Sequence, residues 1–71
     1  MAHAPVSLED RLAVMAKHCA DEEYILTFGY DPQAEKWFSH VCDMRTEEEV
    51  MDFADDSMEG AVDAMEAYLE L

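Results

Sequence analysis

Residues 24–42, YILTFGYDPQAEKWFSHVC, decide the fold of this chain. The first seven alternate: Tyr24, Leu26, Phe28 and Tyr30 fall on one face, and Ile25, Thr27 and Gly29 on the other. A run rich in aromatic and branched side chains favours an extended, pleated backbone. Asp31-Pro32 then opens a turn, because proline presets the backbone angle that a turn needs. Residues 36–42, KWFSHVC, read as a second strand. The connection over residues 31–35 is short enough for an antiparallel hairpin.

Helical periodicity flanks this hairpin. Upstream, Ser7 reads as an N-cap, with Asp10 three residues on as a weaker form of the capping box. Leu8, Leu12, Met15, Ala16 and Cys19 make one apolar stripe, which predicts a helix over residues 8–20. Glu9 and Asp10 lie near the positive end of its macrodipole, and Lys17 and His18 near the negative end. Asp21-Glu22-Glu23 ends the pattern. Downstream, Ser57 reads as a second N-cap, and Met58, Ala61, Val62, Met65, Tyr68 and Leu69 line one face of a closing helix. Gly60 weakens that helix slightly. Its opposite face carries Glu59, Asp63, Glu66 and Glu70, with no Lys or Arg in the segment to pair with them.

Residues 46–56 carry two patterns. Thr46 with Glu49 matches a capping box, and Val50, Phe53 and Ala54 have helical spacing, so local signals favour a helix. The same stretch also accommodates a short strand with Met51 and Phe53 facing the core. The expected fold is α+β. A small antiparallel sheet, a hairpin with or without a third strand, packs against an N-terminal and a C-terminal amphipathic helix in the order α-β-β-(α or β)-α. Residues 1–6 read as a flexible tail and residues 7–71 as a single compact acidic domain.

With 71 residues, the chain holds one domain at most and has little room for a deep cleft. Its 51% apolar content suits a folded domain. The charge is its unusual feature: 18 acidic residues face 4 basic ones, for a formal net charge of -14. Arg11, Lys17, Lys36 and Arg45 cannot pair most of these carboxylates. The resulting field repels nucleic acid and anionic membranes, and attracts basic protein surfaces. Direct nucleic-acid binding and membrane association are therefore not expected. Self-repulsion at this density costs stability, which favours a specific basic partner over solubility alone. The start lacks the basic and apolar regions of a signal peptide, and two cysteines make no disulfide framework, so a reduced, cytoplasmic protein is expected.

Candidate chemistry is sparse. His18 and Cys19 are neighbours on a helix and point about 100° apart, so they read as a helix-end histidine and a core thiol. His40 and Cys42 share a strand face, but no CxxC or HxxxH completes a zinc set, and His3 has nothing directing it there. Asp52, Asp55 and Asp56 lack the loop glycine and spacing of an EF-hand. No Gly-rich loop, nucleophile elbow or phosphate cradle localises the carboxylates. No catalytic residue, metal or cofactor is expected, and the chain is not read as an enzyme. Met58 and Met65, at helical spacing, read as core. Trp37 and Tyr30 flank the hairpin turn, where one of them can serve as a surface anchor or cover one side of a thin sheet.

Residues 24–71 resemble the small antitoxin domain of the HicB family. The likeness lies in a strand beginning YILTF, a turn, a strand with an aromatic centre (KWFSHV), then CDM, and the closing DDSMEGAVDAMEAYLEL. Three departures stand out. Cys42 replaces the family's proline, and residues 43–56 are long and helix-like where the family has a third strand. A helix over residues 8–20 stands in front, while the usual C-terminal DNA-binding region has no counterpart. Operator binding is therefore not carried over. The resemblance implies a partner, a small basic ribonuclease whose active surface such antitoxins cover.

The expected function is an acidic protein-binding module that inhibits or masks a basic, nucleic-acid-processing partner. The stripe Glu59, Asp63, Glu66 and Glu70 is its first candidate surface. Glu47, Glu48 and Asp55 are further acidic candidates, and Trp37 is the apolar anchor. Two alternatives stand beside it. One is a phage-encoded nucleic-acid mimic, such as an anti-CRISPR protein. The other is a small metal-binding or homo-oligomeric protein, a homodimer for instance, whose acidity serves solubility.

Overall fold

The computed structural model of the chain describes residues 7–71; the tail expected over residues 1–6, and His3 with it, lies outside them. Five elements follow in the order α1 (Leu8–Asp21), β1 (Tyr24–Asp31), β2 (Lys36–Asp43), β3 (Glu49–Asp55) and α2 (Met58–Leu69). The three strands form an antiparallel meander in the order β1-β2-β3. This is the expected α+β architecture with its third strand present.

The helix favoured locally over residues 46–56 is corrected by β3. A free helix of that length is marginal in water, and so is a lone two-stranded hairpin. Pairing along β2 solves both problems, setting Phe53 opposite Ser39 and Met51 opposite Val41. The capping-type residues serve a turn instead. Asp43 Oδ1 accepts from the backbone N–H of Arg45 (2.8 Å) and Thr46 (3.1 Å). Thr46 Oγ1 accepts from Glu48 N–H at 3.3 Å. Between the pairs Val41–Met51 and Cys42–Glu49 the register slips, leaving Val50 as a bulge that packs on the core.

Both hairpin turns use one device. Asp31 Oδ1 accepts from Gln33 N–H (3.0 Å) and Ala34 N–H (3.3 Å), as Asp43 does at the second turn. Four residues after each aspartate, a glutamate adopts the left-handed conformation: Glu35 (φ 56°) and Glu47 (φ 63°). The two turn sequences, DPQAE and DMRTE, thus share an Asp-x-x-x-Glu frame.

Both helices cover the same face of the sheet. The α1 helix lies over β1, α2 lies over β2 and β3, and the two touch. Met15 and Cys19 of α1, Val41 of β2, and Ala61, Val62 and Met65 of α2 are fully buried between the layers. Tyr24, Leu26, Phe28, Val50 and Phe53 close the core from the sheet. The one buried polar side chain, among the described residues, is Ser39, whose hydroxyl donates to Ala61 O at 2.8 Å. The expected N-caps are in place: Ser7 Oγ accepts from Asp10 N–H (3.1 Å) and Ser57 Oγ from Gly60 N–H (2.9 Å). No helix among the described residues is long and apolar enough to cross a membrane.

Candidate functional site

Two-residue connections fix the polarity of the molecule. Glu22-Glu23 turns α1 back onto β1, and Asp56-Ser57 turns β3 back onto α2. Because β1 and β3 both run opposite to β2, the two helices run roughly the same way. Their N-termini lie at the end of the sheet that holds Asp31, Trp37 and Asp55. Their C-termini lie at the end that holds Tyr24, Asp43 and the β2–β3 turn. The acidic residues divide between these ends, with opposite consequences.

At the N-terminal end, and along α2 as far as Glu66 in its last turn, carboxylates are engaged inside the molecule. Arg11, in the first half of α1, reaches across to α2. Its Nε donates to Glu66 Oε2 (2.9 Å) and its Nη2 to Glu66 Oε1 (2.6 Å), a bidentate pair, and Nη2 also meets Asp63. Glu59 Oε1 lies 3.8 Å from Nη1. The Arg11 side chain is only 18% exposed. Hydrogen bonds from Arg11 hold the Glu66 carboxyl below the usual range, and the same bonds push the guanidinium pKa upward. The acidic stripe is therefore not unpaired, because three of its four carboxylates converge on a cation supplied by the other helix.

Asp55 is engaged as well. Its Oδ2 accepts from both the N–H and the hydroxyl of Ser57 (3.0 Å each), which lowers its pKa through the backbone bond first. It leans so close to α2 that a methyl group at position 60 would collide with its carboxylate. Gly60, read from sequence only as a weak spot, leaves room for this cap. Lys36 pairs with Asp56 nearby. Trp37 stacks on Phe28 (centroids 5.8 Å apart, 16° between planes) and meets Tyr30 edge-on at 5.1 Å. It is a member of an internal aromatic row rather than a free-standing anchor, and Tyr30 is the more exposed of the two.

The C-terminal end is different. Glu47 and Glu48 are exposed in the β2–β3 turn, and Glu70 is exposed as the C-cap of α2. The α1–β1 joint adds Asp21, Glu22 and Glu23, all exposed. Met44 N–H donates to Glu23 O (2.9 Å), tying this joint to the turn. Among the described residues, the one Lys or Arg ion pair at this end joins Arg45 to Glu23 at 3.3 Å. Helix C-termini favour cations, yet α1 follows its last-turn His18 with Asp21 and Glu22, and α2 has no base in its last turn and Glu70 at its C-cap. Glu23 (φ 62°), Glu47 (φ 63°) and Glu70 (φ 61°) are all left-handed, a conformation that costs an ordinary L-residue about 1 kcal/mol and suits glycine or asparagine.

Of the eight predicted residues, the structure leaves Glu47, Glu48 and Glu70 open at one end. It engages Glu59, Asp63, Glu66, Asp55 and Trp37 in the fold. Sequence reading missed Glu22 and Glu23, which it took as a pattern break; the β1–β2 pairing and the Met44–Glu23 bond bring them to the β2–β3 turn.

The sheet face away from the helices is uncovered and holds a shallow groove of about 310 Å³, lined by Asp31, Lys36, Phe38, His40, Asp52 and Ala54 among others. Phe38 lies over Gly29, where an added methyl would sit 3.1 Å from its ring. His40 and Cys42 share this face. Glu49 Oε1 lies 4.0 Å from His40 Nε2, and no three potential ligands among the described residues are grouped to hold a metal. Cys19 and Cys42 are free thiols, and burial pushes the Cys19 thiol pKa up. No protein-family model, curated protein or solved structure matches this chain.

Proposed function

We propose that this chain is an acidic protein-binding module that masks a basic, nucleic-acid-processing partner, in the manner of an antitoxin, through the end where both helices finish. The observation that carries this reading is the placement of charge there. Glu22 and Glu70 are acids at the negative ends of two macrodipoles, Glu47 and Glu48 are exposed in the turn at the same end of the sheet, and three glutamates hold backbone positions that glycine or asparagine would fill at lower cost. Residues chosen against local stability are expected where function selects them. The net charge of -14 gives the long-range attraction that steers a basic partner into contact. The presence of β3 also removes one departure from the HicB-like pattern.

The test is capture from extract of the native host. Wild-type chain should retain a basic nuclease or other nucleic-acid-binding protein, with capture falling as salt rises from about 0.05 to 0.3 M. Reversing Glu47, Glu48 and Glu70 together to lysine should cut capture by about tenfold or more while the fold survives. Undiminished capture by the triple variant rejects this surface, and a captured protein that is itself acidic rejects the reading. Charge reversal of Glu59, Asp63 and Glu66 is not a clean test, because it sets three cations around Arg11. A short DNA duplex that displaces the captured protein would place the contact on that protein's nucleic-acid site.

A further inference from the structure

The two edges of the sheet are not protected alike. The β3 edge carries Glu49, Asp52 and Asp55 within seven residues, and is kinked by the bulge at Val50. Charges and bulges of this kind keep an edge from pairing with another chain. The β1 edge has neither. It is eight residues long, YILTFGYD, pairs with β2 in unbroken register, and contains no Lys, Arg or Pro. Its one charge, Asp31, stands at its end. In a chain this acidic, an uncharged edge of that length is the exception, and every second residue along it presents unpaired N–H and C=O groups outward.

We infer that the β1 edge is the interface of a homodimer, in which β1 of one protomer pairs antiparallel with β1 of its partner. An uncharged strand suits an uncharged partner strand better than a basic one, and the strand of that character on hand is β1 itself. A two-fold axis at Thr27 makes the sequence self-complementary. Thr27 faces its own copy, Leu26 faces Phe28, Ile25 faces Gly29, and Tyr24 faces Tyr30. These are threonine, aromatic–aliphatic, large–small and aromatic–aromatic pairs, the cross-strand combinations that stabilise sheets. Parity is kept, so the helix-covered faces of both protomers lie on one side.

The helix above this edge permits the approach. Leu8, Leu12, Met15 and Cys19 of α1 face the core, and Arg11 marks the flank toward α2. The opposite flank, over the β1 edge, presents Ala13, Ala16 and Ala20, all exposed and small, with Glu9 of the first turn as its one charge. Two α1 helices can therefore lie side by side across the axis. The register sets Glu23 against Asp31 of the other copy, but Glu23 is already paired with Arg45. The two acidic ends point away from each other.

Sedimentation equilibrium of the full chain, with amide hydrogen exchange, tests this. A dimer is expected, and it should tighten with added salt because like charges are being screened, the opposite of the sign expected for partner capture. All amides of β1 should be protected, where a free edge leaves alternate ones exchanging fast. Thr27→Lys sets like charges face to face, and Ala16→Arg adds bulk on the helix flank. Each should weaken self-association by about tenfold or more, although each reduces the net negative charge. A wild-type chain that stays monomeric at high salt, with alternate β1 amides exchanging fast, overturns the inference. So does a dimer that both variants retain, or one that yields only to Phe38→Glu on the open sheet face. The exchange measurement is made on wild type, so it decides the matter even where a variant fails to fold.

Discussion

The two ends of this domain use the same residue types for opposite purposes. Between the helices Glu59, Asp63 and Glu66 surround Arg11, and at the end where the helices begin Asp55 caps Ser57 and Asp56 meets Lys36. Glu59, in the first turn of α2, also lies with the macrodipole. Where the helices end, Glu22 and Glu70 lie against the dipoles, and Glu47 and Glu48 are exposed in the neighbouring turn. The contrast teaches that net charge alone does not locate a binding surface. A carboxylate that already has a donor inside the fold is costly to take away from it, and one without a donor is available to a partner.

Removing the cation at the first end should have the largest effect. Arg11→Met keeps much of the side-chain stem but leaves Glu59, Asp63 and Glu66 facing one another, with the Glu66 side chain only 25% exposed. A loss of about 2 kcal/mol is expected, or roughly 10 °C in melting temperature for a domain this small. The pH profile identifies the cause. The Glu66 pKa is depressed in the folded state, so its contribution is present above its unfolded value, about 4.3, and fades as pH falls through the folded value. Thermal melts should thus separate wild type from variant fully at neutral pH and progressively less below about pH 4. A gap that stays constant into acid would mean that Arg11 acts through packing alone.

The second prediction concerns the cap at the same end. Alanine is ordinarily the better helix former by about 1 kcal/mol. Gly60→Ala should nevertheless destabilise by about 1 kcal/mol, because the new methyl forces Asp55 off Ser57. In an Asp55→Ala background the collision is absent, and the same substitution should turn stabilising. Chemical denaturation of the four chains in this cycle measures the sign change. If Gly60→Ala stabilises in both backgrounds, the close approach of Asp55 is not what the glycine serves.

Much of the fold was legible in the sequence because its signals are local. The alternation of residues 24–30, the turn at Asp31-Pro32, and the caps at Ser7 and Ser57 each act within a few residues. The third strand was less legible. Thr46, Glu49 and Val50 carry helical signals, and what overrides them is pairing with β2, a tertiary fact. The candidate site failed in the same way. Helical spacing correctly aligned Glu59, Asp63, Glu66 and Glu70, but could not show that Arg11 lies 55 positions before Glu66 yet beside it in space. Nor could it show that the β1–β2 hairpin ties Glu23 to Met44 and Arg45 in the β2–β3 turn. The amphipathic pattern of α1 did hold a hint, since Arg11 borders the apolar stripe, where a cation is expected to have a partner.

The smallest expected effect separates strain from charge at the second end. Among the described residues, all four in the left-handed conformation are glutamates, three at the acidic end and Glu35 in the β1–β2 turn at the other. Replacing any of them with asparagine, which tolerates this conformation, should raise stability by about 0.5–1 kcal/mol. Replacing them with glutamine removes the charge and keeps the strain, so it should return only the smaller gain from reduced repulsion. The ends should then part in function. Glu47→Asn and Glu47→Gln should both weaken partner capture, because both lose the carboxylate, while Glu35→Asn should stabilise without changing capture. Denaturation midpoints and capture yield, measured on the same variants, give both readings. If Glu35→Asn weakens capture as much as Glu47→Asn does, the acidic surface is not confined to the end where the helices finish. If Glu47→Gln stabilises as much as Glu47→Asn, repulsion rather than backbone strain sets the cost of placing glutamate there.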